Sequence, residues 1–243
     1  MPPLVGALDK TIGEWQGYAE DDPLFAVASW PDKARGQWGE DDFYALGRYD
    51  WQDFAAQWSS YTSLGGTCLE LGCGAGRITA PMSEAFDQVL ACDVSDAMLH
   101  RTEKACAGKS VTTILIDDTR LPVEDGSIDA VFSCHVLQHQ ETFEVVEGYL
   151  HEMHRALRTG GTAMLHLLLG AEQHRCLRTA ADIRRRLRMS LGGQHAYIPC
   201  VRFYLPARIR GSLDATGFSS LELREFNVKS NHDAHAFWFM TKA

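Results

Sequence analysis

Three glycines at alternate positions, Gly72, Gly74 and Gly76, follow a short apolar run that closes on Glu70-Leu71. An amphipathic segment starts behind them at Arg77. The pattern reads as strand, tight turn, helix. Glycine reaches backbone angles closed to other residues and lets a ligand rest on the main chain. A helix start adds unpaired N–H groups. The dinucleotide fingerprint G-x-G-x-x-G needs its third glycine where Arg77 stands, so the spacing here is a different one. Asp93 closes the next apolar run, 23 residues after Glu70. An acid about 20 residues past such a turn is placed to accept both hydroxyl hydrogens of a ribose. Its two acceptor oxygens match a vicinal diol. Ser95 or Asp96 already serves as cap for the helix that follows, which leaves Asp93 for the ligand.

Two further polar groups end apolar runs. Asp117 and Asp118 follow Val111–Ile116, and the run Ile128–Cys134 leads into His135-Val-Leu-Gln-His139. In an open parallel sheet, ligands bind beyond the carboxyl ends of the strands. All of these residues then converge on one edge. A histidine there can take a proton from a reacting hydroxyl.

The elements that must position them are legible in outline. A helix is expected from Arg77 to about Phe86, and strands at Gln88–Asp93, Val111–Ile116, Ile128–Cys134 and Thr162–Leu169. Between Thr142 and Leu157, Phe143, Val146, Leu150, Met153 and Leu157 recur at spacings of three and four, a buried helical stripe. Gly160-Gly161 is expected to end that helix. A helix over Tyr204–Phe218 with a glycine stop comes next. Strands at Ser220–Phe226 and Ala236–Met240 then form an antiparallel hairpin. His166 falls mid-strand, the position of a satisfied core histidine or of a residue reaching the site.

The pattern E-x-G-x-G-x-G resembles the first motif of class I S-adenosylmethionine-dependent methyltransferases. D-x-x-x-L-P-x-x-D-x-S-x-D from Asp117 to Asp129 resembles their second motif region, and L-R-x-G-G-x-A-x-L from Leu157 resembles the corresponding later stretch. The resemblance covers about Gly66 to Ala243. It implies a Rossmann-like α/β fold, with a seven-stranded, mostly parallel sheet in the order 3-2-1-4-5-7-6 and helices on both faces. It implies S-adenosyl-L-methionine as cofactor, held by Glu70, Gly72, Gly74, Gly76, Asp93 and Cys134. Met98 would cover the adenine, Asp117 would accept from its amino group, and the N–H of Asp118 would meet a ring nitrogen. The stretch Trp38-Gly-Glu-Asp-Asp-Phe-Tyr-Ala-Leu-Gly-Arg48 resembles the N-terminal segment of some bacterial small-molecule methyltransferases, which adds Tyr44 and Arg48 to the cofactor candidates. His135 and His139 become the catalytic candidates. His166, His195, Tyr197 and Arg202 become the substrate candidates.

The division expected is an N-terminal helical lid over residues 1–62 and a methyltransferase domain over 63–243. That domain carries an arginine-rich lid excursion at about 170–204, whose arginines either meet an anionic acceptor, neutralise the acidic N-terminal segment, or form a solvated face. The activity implied is methyl transfer to a small-molecule hydroxyl, such as that of a sugar or natural product. N-methylation of a small amine and a non-catalytic S-adenosylmethionine-binding subunit stay open. A nicotinamide-dependent oxidoreductase is disfavoured by the glycine spacing. Holding an activated methyl in line with its acceptor accounts for much of such a reaction. No ligand spacing demands a metal, although acids and histidines near the fourth strand suit Mg²⁺.

The 243 residues suit one domain with an added lobe. A net charge of −9 argues against a nucleic-acid partner. No apolar run is long enough to span a membrane, and the N-terminus lacks a secretory pattern. The seven scattered cysteines read as reduced thiols of a cytoplasmic protein. A homodimer is compatible with this sequence but not required by it.

Overall fold

The computed structural model describes residues 8–29, 33, 35–175, 200–227 and 234–243. Three helices come first: α1 (Asp9–Asp21), α2 (Pro23–Val27) and α3 (Glu40–Trp58). Alternation then begins with β1 (Thr67–Leu71), α4 (Thr79–Met82), β2 (Gln88–Asp93), α5 (Asp96–Ala105), β3 (Val111–Leu115) and β4 (Ile128–Ser133). A 3₁₀ turn at Leu137–His139 leads to α6 (Phe143–Ala156) and β5 (Leu157–Leu169). The chain continues through β6 (Gln173–Arg175), β7 (Val201–Phe203), α7 (Pro206–Thr216), β8 (Phe218–Asn227) and β9 (Ala234–Lys242).

The main sheet runs β3-β2-β1-β4-β5-β9-β8, and β6 and β7 form a separate two-stranded sheet. β8 and β9 are the sixth and seventh strands of the main sheet, so its order is the expected 3-2-1-4-5-7-6. β1 to β5 pair in parallel, and β9 pairs antiparallel with both β5 and β8. A parallel sheet must be covered on both faces, and the alternation in β1 shows how. Leu69 and Leu71 pack with Val146, Leu150 and Met153 of α6. Cys68 packs on the other side with Phe132, Trp51, Trp58 and Phe86. The second half of α3 therefore belongs to the core layer as well as to the N-terminal segment.

Three local readings are corrected. The helix expected at Arg77–Phe86 is only four residues long. Pro81 has no N–H to give to Arg77 O, so the ladder that begins with Ala80 N to Gly76 O is interrupted at the next carbonyl. The α6 helix stops at Ala156, because Leu157 already has extended angles and opens β5. Gly160 and Gly161 therefore lie inside a strand. A Cβ on Gly161 would meet Arg158 O at 2.9 Å and Asp129 O at 3.0 Å. The glycine there admits close backbone approach at an irregularity in the β4–β5 pairing. The α7 stop is as expected, with Gly217 left-handed at φ 102°.

Cys68, Cys73, Cys92, Cys106 and Cys134 are free thiols. Cys200 is disulfide-bonded, against the expectation that every cysteine is reduced. No helix among the described residues is long and apolar enough to cross a membrane.

Candidate active site

The glycine turn is tied to the end of β2 by its backbone. Gly72 N and Cys73 N donate to Cys92 O at 2.7 and 3.0 Å. Gly74 N then donates to Asp93 Oδ2 at 2.8 Å, and Ser95 N donates to Asp93 Oδ1 at 3.0 Å. A carboxylate offers about four acceptor positions. The backbone N–H groups of Gly74, Ser95 and Val94 take part of that capacity, and the rest is left for a ligand. Burial pushes the Asp93 carboxyl above its usual range, and the three backbone N–H groups of Gly74, Ser95 and Val94 oppose that shift.

Gly72 has φ 78°, and a Cβ on it would lie 2.2 Å from Val136 Cγ2. Only glycine satisfies both constraints at the end of β1. Gly74 and Gly76 are also left-handed. Beside this turn lies a cleft of about 590 Å³, part of it open to solvent. Its walls include Leu71, Gly72, Gly74, Asp93, Cys134 and His135. Four of the expected cofactor residues, Gly72, Gly74, Asp93 and Cys134, meet here together with the catalytic candidate His135.

The remaining candidates lie elsewhere. Glu70 does not line the cleft and accepts from Thr79 Oγ1 at 2.6 Å. Met98 is fully buried with Ala75, Phe43 and Leu24, beneath the N-terminal helices. Asp117 is exposed, and Asp118 accepts from Arg120 N at 2.5 Å. Neither acid lines the cleft. Tyr44 donates to Ala75 O at 3.0 Å and so holds the outside of the glycine turn. Arg48 is exposed. The buried arginine beside the turn is Arg77, which pairs with Asp50.

His139 is engaged in structure. Its Nδ1 meets Cys200 O at 2.8 Å, and Trp15 packs edge-on to its ring at 5.4 Å. Arg202 donates to the carbonyls of Gln140 and Glu141. His166 is buried, with its ring centroid 4.1 Å from that of His135. His195 and Tyr197 lie outside the described residues. Motif reading missed Thr11 and Trp15 of α1, Val27 of α2, and Gln140, all of which line the cleft. The buried Gln140 Oε1 has no hydrogen-bond partner among the described residues. It is an acceptor left for a ligand donor.

His135 is the one non-glycine residue with positive φ among the described residues, at 62°. In a strand, consecutive side chains point to opposite faces. The left-handed residue breaks that alternation, so Cys134 and His135 both reach the cleft. His135 is solvent-accessible from the cleft, yet desolvation by the protein packed around the ring, then the charges of Arg77, His235 and His139, hold it below its ordinary pKa. Its imidazole is neutral at pH 7, with a lone pair available.

Glu70 carries a testable pH dependence. Burial raises its carboxyl to about 7; the Thr79 hydrogen bond lowers it, Asp93 raises it and Arg77 lowers it. A folded pKa above the unfolded one means that the folded state keeps a proton the unfolded chain has lost. Stability then falls as pH rises from about 4.5 to about 7 and is flat above. Glu70→Gln keeps an acceptor for Thr79 and never ionises. It is expected to exceed the parent in stability by roughly 2–3 kcal/mol at pH 8, with the gap closing toward pH 4. Urea denaturation at both pH values measures this, and an unchanged gap would exclude burial of an ionising carboxyl.

Residues 69–165 match the family model described as "Methyltransferase domain". The chain carries a class I S-adenosylmethionine-dependent methyltransferase domain. The malonyl-[acyl-carrier protein] O-methyltransferase of Hamiltonella defensa subsp. Acyrthosiphon pisum is 33% identical over 100 residues, which cover 41% of this chain and 37% of that protein. Phosphoethanolamine N-methyltransferase 1 of Triticum aestivum is 30% identical over 127 residues, covering 51% and 24%. The methyltransferase chain thus spans about a quarter to two fifths of the length of these curated relatives. The fold extends further than the sequence likeness. The N-methyltransferase NodS of Bradyrhizobium japonicum WM9, solved with S-adenosyl-L-homocysteine, superposes with a TM-score of 0.63 at 14% identity, over 96% of this chain and 99% of that one. The methyltransferase cofactor is S-adenosylmethionine, and the donor set fits it. The carboxylate of Asp93, apolar walls at Val94 and Ile116, and the unmet acceptor of Gln140 surround one cleft.

Proposed function

We propose that this protein transfers the methyl group of S-adenosylmethionine to a hydroxyl of a small molecule. The observation that carries this reading is Asp93. Its carboxylate is fixed by the backbone N–H groups of Gly74, Ser95 and Val94 and lines the cleft beside the glycine turn with acceptor capacity left over. When bound, the cofactor supplies a methyl on a positively charged sulfur, so the leaving group is a neutral thioether. The chain's own task is then alignment. Asp93 holds the ribose, the turn bearing Gly72 and Gly74 leaves room for the amino-acid tail, and Val94 and Ile116 flank the adenine. His135 is the side chain we place against the acceptor's nucleophilic atom, because it is neutral, faces the cleft and follows the fourth strand.

The acceptor side is assigned to α1 and α2, which act as a lid; most of the excursion expected at about 170–204 lies outside the described residues. Thr11, Trp15 and Val27 already wall the cleft. A net charge of −9 favours a small acceptor over a nucleic acid. The buried free thiols fit a reducing compartment, where we place the protein; the disulfide at Cys200 is the feature that runs against it. Transfer to an amine is the second reading, favoured by the same neutral imidazole.

Calorimetric titration with S-adenosylhomocysteine, alongside NADH, tests the cofactor assignment. Saturable binding of the first alone is expected. Transfer of labelled methyl to a panel of alcohols, phenols and amines then tests the reaction. His135→Asn keeps a residue that tolerates left-handed angles and removes the imidazole. It is expected to bind S-adenosylhomocysteine normally and to lose about 100-fold in methyl transfer. Undiminished transfer would remove His135 from the mechanism. Cofactor binding without transfer to any acceptor would favour a non-catalytic binding subunit.

A further inference from the structure

Among the described residues, Cys134, His135 and His166 each offer one donor atom within 4.8 Å of the other two. The arrangement combines an unusual backbone at His135 with burial of His166; Cys134 is partly buried and His135 is open to the cleft. His135 takes left-handed angles, uncommon for a non-glycine residue and concentrated at functional sites. His166 is 1% exposed, and its Nδ1 has no hydrogen-bond partner among the described residues. Its Nε2 lies 2.8 Å from Nδ1 of His235 on the paired strand β9. With the proton on Nε2, His166 donates to His235 and keeps a lone pair on Nδ1. This matches a metal-binding histidine, whose second nitrogen donates to an outer group that fixes tautomer and ring orientation.

We infer that Cys134, His135 and His166 form a transition-metal site, best suited to Zn²⁺, whose open position faces the acceptor side of the cleft. The donor set decides the ion. One thiolate and two imidazoles suit zinc, whereas Mg²⁺ and Ca²⁺ take oxygen ligands. Zinc bonds to nitrogen and sulfur are about 2.0–2.3 Å, and modest side-chain rotation closes the triangle around the ion. The Cys134 thiol releases its proton to solvent as the metal–sulfur bond forms. Three protein ligands with a fourth position open are the pattern of a catalytic rather than a structural zinc.

Binding of the ion stands independently of the methyl-transfer reading; its use in the reaction rests on that reading. In that use, His135 meets the acceptor through the ion. The ion held by Cys134, His135 and His166 would act as a Lewis acid that lowers the pKa of an acceptor hydroxyl, leaving that hydroxyl's proton to solvent.

The test is metal titration of the full chain after dialysis against chelator, with Zn²⁺ by calorimetry and Co²⁺ by absorption. One ion per chain is expected, with a thiolate-to-cobalt charge-transfer band. Cys134→Ser should abolish that band, and His135→Asn should weaken Zn²⁺ binding at least tenfold. His235→Phe, which removes the outer partner and keeps an aromatic ring beside Phe226, should weaken it about 10–100-fold. S-adenosylhomocysteine affinity, measured on the same samples, reports on the fold and on the cofactor site separately. Failure of the parent to bind either ion stoichiometrically overturns the proposal, even where S-adenosylhomocysteine binds. Parent-like zinc affinity in both Cys134→Ser and His135→Asn also overturns it. Zinc binding without S-adenosylhomocysteine binding would leave the metal site standing and sink the cofactor assignment.

Discussion

Asp93→Ala is expected to weaken S-adenosylhomocysteine binding by roughly 10²–10⁴-fold, read by calorimetry. Two hydrogen bonds to a carboxylate are lost, each worth about 1.5–3 kcal/mol, and every 1.4 kcal/mol is about tenfold in affinity. A second effect runs alongside. Gly74 N and Ser95 N lose their acceptor in a buried place, which destabilises the turn itself. Asp93→Asn separates the two. It keeps one carbonyl oxygen for the backbone and loses the charge and one diol contact. It should stay folded and bind about 10–100-fold more weakly. Unchanged affinity in Asp93→Asn would move the ribose away from this residue, and the turn would then need another ligand.

The legibility of Asp93 in the sequence has a physical origin. Glu70, the glycines and Asp93 belong to one strand–turn–helix–strand unit, so their spacing is set by local geometry. The same holds for His135, which directly follows a strand that reads plainly as buried. The amphipathic pattern from Arg77 onward overstates the helix, because Pro81 within Thr79–Met82 interrupts its backbone ladder. The rest of the cleft is assembled by long-range packing. Trp15 and Val27 reach the glycine turn only because α1 and α2 fold back across it, and no local pattern encodes that. Nor does any local pattern place His166 beside His235, 69 positions away. Their meeting depends on the antiparallel register of β5 and β9, which pairs His166 with Phe237 and Leu168 with His235. His166 read as a core histidine from its strand position. It is buried, as that reading holds, but its unmet nitrogen is visible only in three dimensions.

Gly47 was equally silent in the sequence, and it yields the sharpest stability prediction. It lies inside α3, where replacing glycine by alanine ordinarily stabilises by about 1 kcal/mol. Here a Cβ would stand 2.0 Å from Arg77 O and 2.6 Å from Arg77 Cγ. That carbonyl is the one Pro81 cannot bond. It cannot retreat easily, because Gly76 N is bonded to Cys73 O and the turn in front is tied to Cys92 O. Overpacking of this kind costs about 1–3 kcal/mol or more, which outweighs the gain in helix propensity. Gly47→Ala is therefore expected to lower stability by about 1–3 kcal/mol and to weaken S-adenosylhomocysteine binding by displacing the glycine turn. Gly13, inside α1 with nothing within 4 Å of its Cβ position, is the control. Gly13→Ala should stabilise by about 1 kcal/mol. The same substitution in two helices then has opposite signs, and urea midpoints measure both. Equal stabilisation of the two variants would mean that α3 does not rest on the glycine turn, and the N-terminal helices would have to be treated as separate from the cofactor site. Opposite signs would make α3 part of that site's foundation, so changes along this helix would be felt in cofactor affinity without touching the cofactor.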